Sequence, residues 1–337
     1  MAPLLKAPTR SFVQSTALER FVGGLAATPF IVIYFVAPLY LLFALALLAV
    51  KPFTMSTYLV LLPIIVSVLT PPAVALFFSP LLLCSWACRQ MPKYFSYEEY
   101  HELQDKEMLA GHASGKPFIL VAHPHGVFSF TGVCGAIVTM SSPNGVGRKL
   151  ATLVPTAAAT VIRTFPLLKD LLGVFGVIDA AGPVLKKRLS GKNGSFVLYV
   201  GGIAELFETS AERECCYLLQ RKGFIKLAMR TGADVVPCYF FGNTAVLSVL
   251  RSGPLAALSR KLGMSLTLTW GRWGLPIPKP VKLVYARGRP LGLPHLTEPT
   301  DADVDEWHGK YVAQLKKLFD DYKHAHPLYA DKELLFK

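Results

Sequence analysis

The chain has 337 residues and a formal net charge of +13, room for one large domain or two small ones. Hydrophobic residues make up 52% of it, charged residues only 17%, and the mean hydropathy is +0.41. These values exclude an ordinary soluble protein, and no recognition motif accompanies the basic excess, which excludes nucleic acid as its partner.

The apolar residues are concentrated near the start. Phe21 to Val50 and Pro52 to Ala87 contain no charged residue, with Lys51 alone between them. A helix needs about 20 apolar residues to cross a bilayer core, so each run is long enough. Both exceed the roughly 7–15 residues of a signal-peptide core. An integral membrane protein is predicted. Lys6, Arg10 and Arg20 precede the first run, while Arg89 and Lys93 follow the second. The positive-inside rule then places both ends in the cytosol and makes the pair a hairpin. Pro63, Pro71 and Pro72 interrupt the second run, which either spans or enters and returns. The expected division is a cytosolic tail over 1–20, a membrane hairpin over 21–87 (runs at about 21–50 and 52–87) and a cytosolic domain over 88–337.

None of the six cysteines has the Cys-x-x-Cys spacing of a zinc or redox site, which fits a reducing compartment. Cys84 and Cys88 read as apolar filler rather than palmitoylation sites. Asn193-Gly194-Ser195 reads as a turn rather than a glycosylated sequon.

From about Ser96 the pattern is that of an α/β domain. Short β-branched runs, "FILVAH" (118–123), "SFVLYV" (195–200), "DVVPCYFF" (234–241), "SLTLTW" (265–270) and "VKLVYA" (281–286), alternate with amphipathic pieces such as "RKGFIKLAMR" (221–230). Strands separated by helices predict a mostly parallel or mixed sheet covered on its faces. A last helix is predicted after Thr300 as cap, with Val304, Trp307, Tyr311, Leu315, Leu318 and Tyr322 at helical spacing. Basic residues gather around Lys186, around Arg221 and Lys222, and between Arg272 and Arg289. Beside a membrane such clusters meet anionic headgroups, and a phosphate-bearing substrate would fit the same surface.

"VAHPHGVFSF" (121–130) carries the chemistry. Alternate side chains of a strand share a side, so His123 and His125 are expected in one pocket, stiffened by Pro124 and approached closely at Gly126. Metal binding would need further ligands, and the other six histidines lie mainly near the C-terminus, so no metal site is expected. A hydrolase triad would need Gly-x-Ser-x-Gly, which the chain lacks. A histidine general base that activates a substrate hydroxyl directly is the remaining reading.

At these residues the chain resembles the type-2 diacylglycerol acyltransferase family. "HPHG" (123–126) looks like its signature, and "VGGIAE" (200–205), "RKGFIKLAMRTGADVVPCYFFG" (221–242), "GRWGLPIPKP" (271–280) and the stretch 298–323 match in order. The resemblance implies a mixed sheet with covering helices, as in the glycerolipid acyltransferases with a His-x4-Asp motif. It also implies transfer of a fatty acyl group from acyl-CoA to diacylglycerol, at the endoplasmic reticulum and on lipid droplets, with acyl-CoA a substrate and no cofactor. Two departures stand out. The position five on from His125 is Phe130 and five on from His123 is Phe128, so the local carboxylate is missing. Asn243 stands where many relatives have Glu.

The resemblance therefore casts His125 as base, His123 as support and Glu205 as the carboxylate that orients the His125 ring, with Glu208 one turn away. Backbone N–H groups near Gly126 or Gly201-Gly202 would meet the oxyanion. Arg221 and Lys222 would hold the phosphates of acyl-CoA. Monoacylglycerol or a long-chain alcohol is the alternative acceptor, and an inactive lipid-droplet hairpin protein is the alternative of another class. Membrane lipid is a partner on every reading, and a homo-oligomer is compatible with the sequence.

Overall fold

The computed structural model describes residues 7–142, 145–191, 194–209, 213–254, 257 and 268–337. In chain order, a six-stranded sheet takes Arg10–Ser11 (β1), Glu98–His101 (β2), Phe118–His123 (β3), Phe196–Leu198 (β4), Asp234–Phe241 (β5) and Val284–Arg287 (β6). Their spatial order is β1-β2-β6-β5-β3-β4. The β3/β5, β3/β4 and β2/β6 pairs are parallel, and β5/β6 and β1/β2 are antiparallel. This is the mixed sheet expected of strands separated by helices. β3 and β5 coincide with their sequence runs and are buried along their whole length.

Period-two alternation sorts the core. Ile119 and Val121, with Val235, Tyr239 and Phe241, pack against the helix Gly223–Thr231 and the C-terminal helix. Phe118, Leu120 and Ala122, with Val236, Cys238 and Phe240, pack against Leu103, Met108 and Leu150. The C-terminal helix, Asp301–Tyr322 (α8), begins at a capping box in which Thr300 and Asp303 bond each other's backbone N–H. Its buried stripe is the expected one except at Trp307, which lies under Lys310 Nζ at 3.9 Å while His308 and Phe319 turn inward.

The apolar segment forms Ala17–Val50 (α1), Met55–Leu69 (α2) and Pro72–Leu83 (α3), followed by Trp86–Tyr94 (α4). Among the described residues α1 alone has the length and composition to cross a bilayer; at 1.5 Å per residue it is about 51 Å long. The second run is two short helices, broken where Thr70 and Pro71 leave the helical region. A second helix of full spanning length is not shown among the described residues. Three further helices surround the histidine motif and the sheet: Phe130–Met140 (α5), Gly202–Glu208 (α6) and Gly223–Thr231 (α7).

The expected boundaries at 20 and 87 do not coincide with breaks in packing. β1, within the expected tail, is an edge strand of the sheet, and Arg10 pairs with buried Glu99 at 2.8 Å. Ala27, Phe30 and Ile31 of α1 share a core with Met91, Phe95, Phe128 and Phe130. A Cβ at Gly23 would lie 2.3 Å from the Gln90 carbonyl, so α1 and α4 touch along their backbones. Of the basic clusters, Arg287 is not a surface residue: it is buried and donates to the Leu103 carbonyl at 2.8 Å and to Asp105 at 2.6 Å. All six cysteines are free, and all but Cys84 are buried. Lys192, Asn193 and residues 265–267 of the "SLTLTW" run lie outside the described residues; Thr269–Trp270 pairs with Ser248–Val249.

Candidate active site

β3 ends at His123, opposite Tyr239 of β5, and the chain turns at Gly126 with φ +64°. A Cβ there would come 3.0 Å from Asn243 Nδ2, so glycine meets both the backbone angle and the space. α6 delivers Glu205, which is buried. Its Oε2 lies 3.0 Å from His123 Nδ1, and its Oε1 accepts from the His125 backbone N–H at 3.1 Å. One carboxylate thus holds the ring of the first histidine and the main chain of the second.

This corrects one expectation: the ring that Glu205 orients is His123, not His125. The two rings differ in burial, His123 fully buried and His125 half-buried, and the Glu205 charge reaches both. His125 Nδ1 donates to the Gly126 carbonyl at 2.9 Å, since a carbonyl only accepts, which leaves Nε2 with the lone pair. The half-buried His125 ring stands edge-on to Tyr199 with centroids 4.6 Å apart, and the Tyr199 hydroxyl donates to Ser129 Oγ at 2.8 Å. Burial pushes the His125 imidazole below its ordinary pKa, partly opposed by the Gly126 carbonyl and the Glu205 charge, so the neutral base is favoured.

His123 is fully buried, and its Nε2 has no hydrogen-bond partner among the described residues. Ligand atoms of His123, Glu205 and Cys216 lie within 4.8 Å of one another, a set that could hold a metal ion. Histidine spacing could not reveal it, because the other two ligands come from α6 and from Glu214–Cys216, a strand of a separate two-stranded sheet. Burial raises the Cys216 thiol well above its ordinary value, helped by the Glu205 and Glu214 charges. It therefore stays protonated and is a poor nucleophile. The buried Tyr311 hydroxyl, within electrostatic reach of Cys216 and Glu205, is likewise without a partner among the described residues.

Asn243 was legible only as a departure from the family, and the structure gives it a job. Its Nδ2 donates to the carbonyls of Pro124 and His125 at 3.2 and 2.6 Å. Its Oδ1 accepts from the Thr131 N–H and hydroxyl at 3.1 and 3.2 Å, in the first turn of α5. The amide clamps the histidine turn to a helix, which a carboxylate without donors could not do.

The expected glycines separate. A Cβ at Gly201 would lie 2.0 Å from Glu205 Oε2, so Gly201 makes room for the carboxylate; Gly202, at φ +57°, faces open space. A cavity of about 10 Å³ lies beside Glu205, lined by Gly126, Val127, Leu206, Thr209 and Thr244 among others. It has room for one water, and a lipid needs the site to open. Arg221 and Lys222 do not border it. Lys222 pairs with Asp305 at 2.6 Å in a separate surface cleft, and Arg221 lies 5.5 Å from the Tyr217 ring centre. Glu208 pairs with Lys337, away from the histidines.

The chain is similar to known proteins. A family profile described as "Diacylglycerol acyltransferase" matches residues 82–337. Human "Diacylglycerol O-acyltransferase 2-like protein 6" is 31% identical over 240 residues, covering 64% of this chain and 69% of its own. "Diacylglycerol O-acyltransferase 2" of Bos taurus is 32% identical over 62% of each chain. Human "2-acylglycerol O-acyltransferase 3" is 29% identical over 62% of this chain and 65% of its own. The chain thus spans less than two thirds of the length of the last two. The solved 1-acyl-sn-glycerophosphate acyltransferase PlsC of Thermotoga maritima aligns over 89% of this chain and 96% of its own, with a TM-score of 0.41 and 12% identity. With its profile match running from residue 82 to the last residue, the chain belongs to the diacylglycerol acyltransferase family, a family of enzymes.

Proposed function

We infer that the chain transfers a fatty acyl group from acyl-CoA to the free hydroxyl of diacylglycerol, giving triacylglycerol in the membrane. The observation that carries this is the seat of the histidine turn against the apolar helix. Phe128, three residues after His125, packs on Phe30 and Tyr34 of α1 with ring centroids 6.3 and 6.0 Å apart. An acceptor dissolved in the bilayer that surrounds α1 arrives at the histidines without crossing water.

The His125 Nε2 takes the hydroxyl proton as the oxygen attacks the thioester carbonyl. The carbonyl oxygen becomes an oxyanion, which a backbone N–H at Gly126 or at Gly201-Gly202 would meet. Collapse breaks the carbon–sulfur bond, and the imidazolium returns its proton to the departing thiolate of coenzyme A. Glu205 offsets the charge that develops on His125 through space, and it fixes the turn through the His125 N–H and the His123 ring. No covalent acyl-enzyme forms. Arg221 and Lys222 meet the phosphates of coenzyme A from the cleft beside α7. α1 enters the endoplasmic reticulum membrane or a lipid-droplet surface and α2 and α3 return the chain, so that the sheet lies on the cytosolic side with both termini.

Monoacylglycerol is the second acceptor, favoured by the similarity to human "2-acylglycerol O-acyltransferase 3". Lipid extracts from triacylglycerol-deficient cells expressing the chain test all readings. Triacylglycerol is expected. Diacylglycerol alone would move the acceptor to monoacylglycerol, wax ester would move it to an alcohol, and no new neutral lipid would refute enzymatic activity.

A further inference from the structure

Gly271 to Pro280 belongs to neither the histidine turn nor the core. This loop carries Trp273 at its tip, 74% exposed, with Leu275 at 50%. Trp273 has φ +58°, a left-handed conformation rare for a bulky residue, and Gly274 follows at +76°. The turn is braced from within: Gly271 N–H donates to the Leu275 carbonyl and Arg272 N–H to the Ile277 carbonyl, both at 2.7 Å. A Cβ at Gly271 would sit 1.8 Å from the Ile277 carbonyl. The fold therefore holds the indole outward in a strained backbone, against the tendency to bury it.

The base of the loop is tied to α1 through α4. The Tyr94 hydroxyl donates to the Pro278 carbonyl at 2.5 Å, and the Tyr94 ring lies where a Cβ at Gly24 would come within 2.8 Å. Burial raises the Tyr94 phenol, while the guanidinium groups of Arg272 and Arg20 beside it act the other way. The Arg272 guanidinium also lies 4.1 Å from the Trp273 ring centre. These contacts set the loop level with Gly24, about two turns into α1. The outward face of α1 is already apolar there: Phe21 and Leu25 are exposed, and Arg20 is the last charge before Lys51.

We propose that the Trp273 loop is a second membrane contact, seated in the headgroup region of the leaflet that α1 enters. The proposal rests on α1 being a membrane helix. Tryptophan is enriched at that depth because its ring is apolar and its N–H finds water or ester oxygen. Arg272 reaches the lipid phosphates from the same level. The loop continues into the site: Lys279 N–H donates to the Val246 carbonyl, and Lys279 Nζ to Ser248 Oγ, next to Val249 on the cavity wall. Docking it sets the depth at which a lipid hydroxyl meets the histidines.

The test uses the full chain in vesicles of phosphatidylcholine and phosphatidylserine, with Trp86, Trp270 and Trp307 replaced by Phe so that Trp273 alone emits. Bromines carried high on the acyl chains should quench it more than bromines near the chain ends. The same background with Trp273→Phe and Leu39→Trp, on the exposed face of α1, reports on the span and should be quenched most by the deep bromines. Quenched Leu39→Trp with unquenched Trp273 overturns the loop's docking while the span stands. Absence of quenching at both positions refutes the span and the loop with it. Emission at Trp273 that shifts with protein-to-lipid ratio but ignores bromine assigns the loop to a second copy of the chain and overturns the proposal. If the triple replacement does not fold, the native chain and its Trp273→Ser variant are compared, and shallow quenching must drop in the variant.

Discussion

Replacing Asn243 by Asp exchanges one amide for a hydroxyl or oxyanion and inverts half of its hydrogen bonding. The two bonds accepted from Thr131 survive, while the donors to the Pro124 and His125 carbonyls vanish. The site is buried, so an ionised carboxylate facing two carbonyls is disfavoured and the group keeps its proton. One donor returns in that state and one carbonyl stays unpaired, at a cost of about 1–3 kcal/mol. Both carbonyls lie in the turn that carries His125, and a shift of about 1 Å in a catalytic group costs on the order of a hundred-fold in rate. In Asn243→Asp, kcat for acyl transfer should fall about ten- to a hundred-fold at neutral pH, with a smaller change in KM. The loss should deepen with rising pH as the carboxyl ionises, whereas Asn243→Ala should show a loss that does not vary with pH. Labelled acyl-CoA in microsomes, normalised to the amount of inserted protein, gives both rates. A wild-type rate for Asn243→Asp across the pH range would refute the clamp.

His125→Ala should lose at least about two decades of rate, while His123→Ala should lose less rate and more thermal stability, since it strands buried Glu205. Near-normal transfer by His125→Ala, with abolition in His123→Ala, would reverse the two assignments. Because burial lowers the His125 pKa and the base must be neutral, the acid limb of kcat/KM should fall below the ordinary histidine value of about 6.5; a limb above it would contradict the assignment. Neutralising Arg221 and Lys222 together should raise the KM for acyl-CoA more than that for diacylglycerol in neutral micelles. The effect should be only a few-fold, about 0.2–1 kcal/mol, because Lys222 is exposed and already paired; an unchanged KM would remove both from the site. His326 is buried, with Nε2 on the Lys282 carbonyl and Nδ1 accepting from Leu328 N–H, and burial lowers its pKa to about 4. Its stabilising share is full above about pH 6.5 and lost as pH falls toward about 4, worth about 3 kcal/mol in all. Unfolding curves of His326→Gln should lack that slope, and an unchanged slope would count against it.

Features with local causes were legible in the sequence. β3 and β5 coincide with their runs because each is buried on both faces, and α8 begins where its capping box lies. "HPHG" and Glu205 also converge as the motifs suggested, although the ring that Glu205 holds is the other one. The resemblance names the carboxylate but not the imidazole it meets, which the backbone turn after β3 decides. Asn243 and Cys216 were not legible as site residues, because each reaches the histidine motif from a distant segment. β1 was missed because two residues carry no period, and its place is set by Glu98 and Glu99, far along the chain.

The position of β1 also orders the events of biogenesis. Arg10 leaves the ribosome early, yet its partner Glu99 emerges 89 positions later, after the whole apolar segment has been made. Domains fold as they emerge, amino end first, but this edge of the sheet cannot pair until α1, α2, α3 and then β2 have been made. Until then β1 has unpaired N–H and C=O groups, the kind of edge that recruits other strands. On the proposed membrane reading, a chain whose insertion stalls leaves its sheet unfinished as well as unanchored, and quality control meets both faults as one.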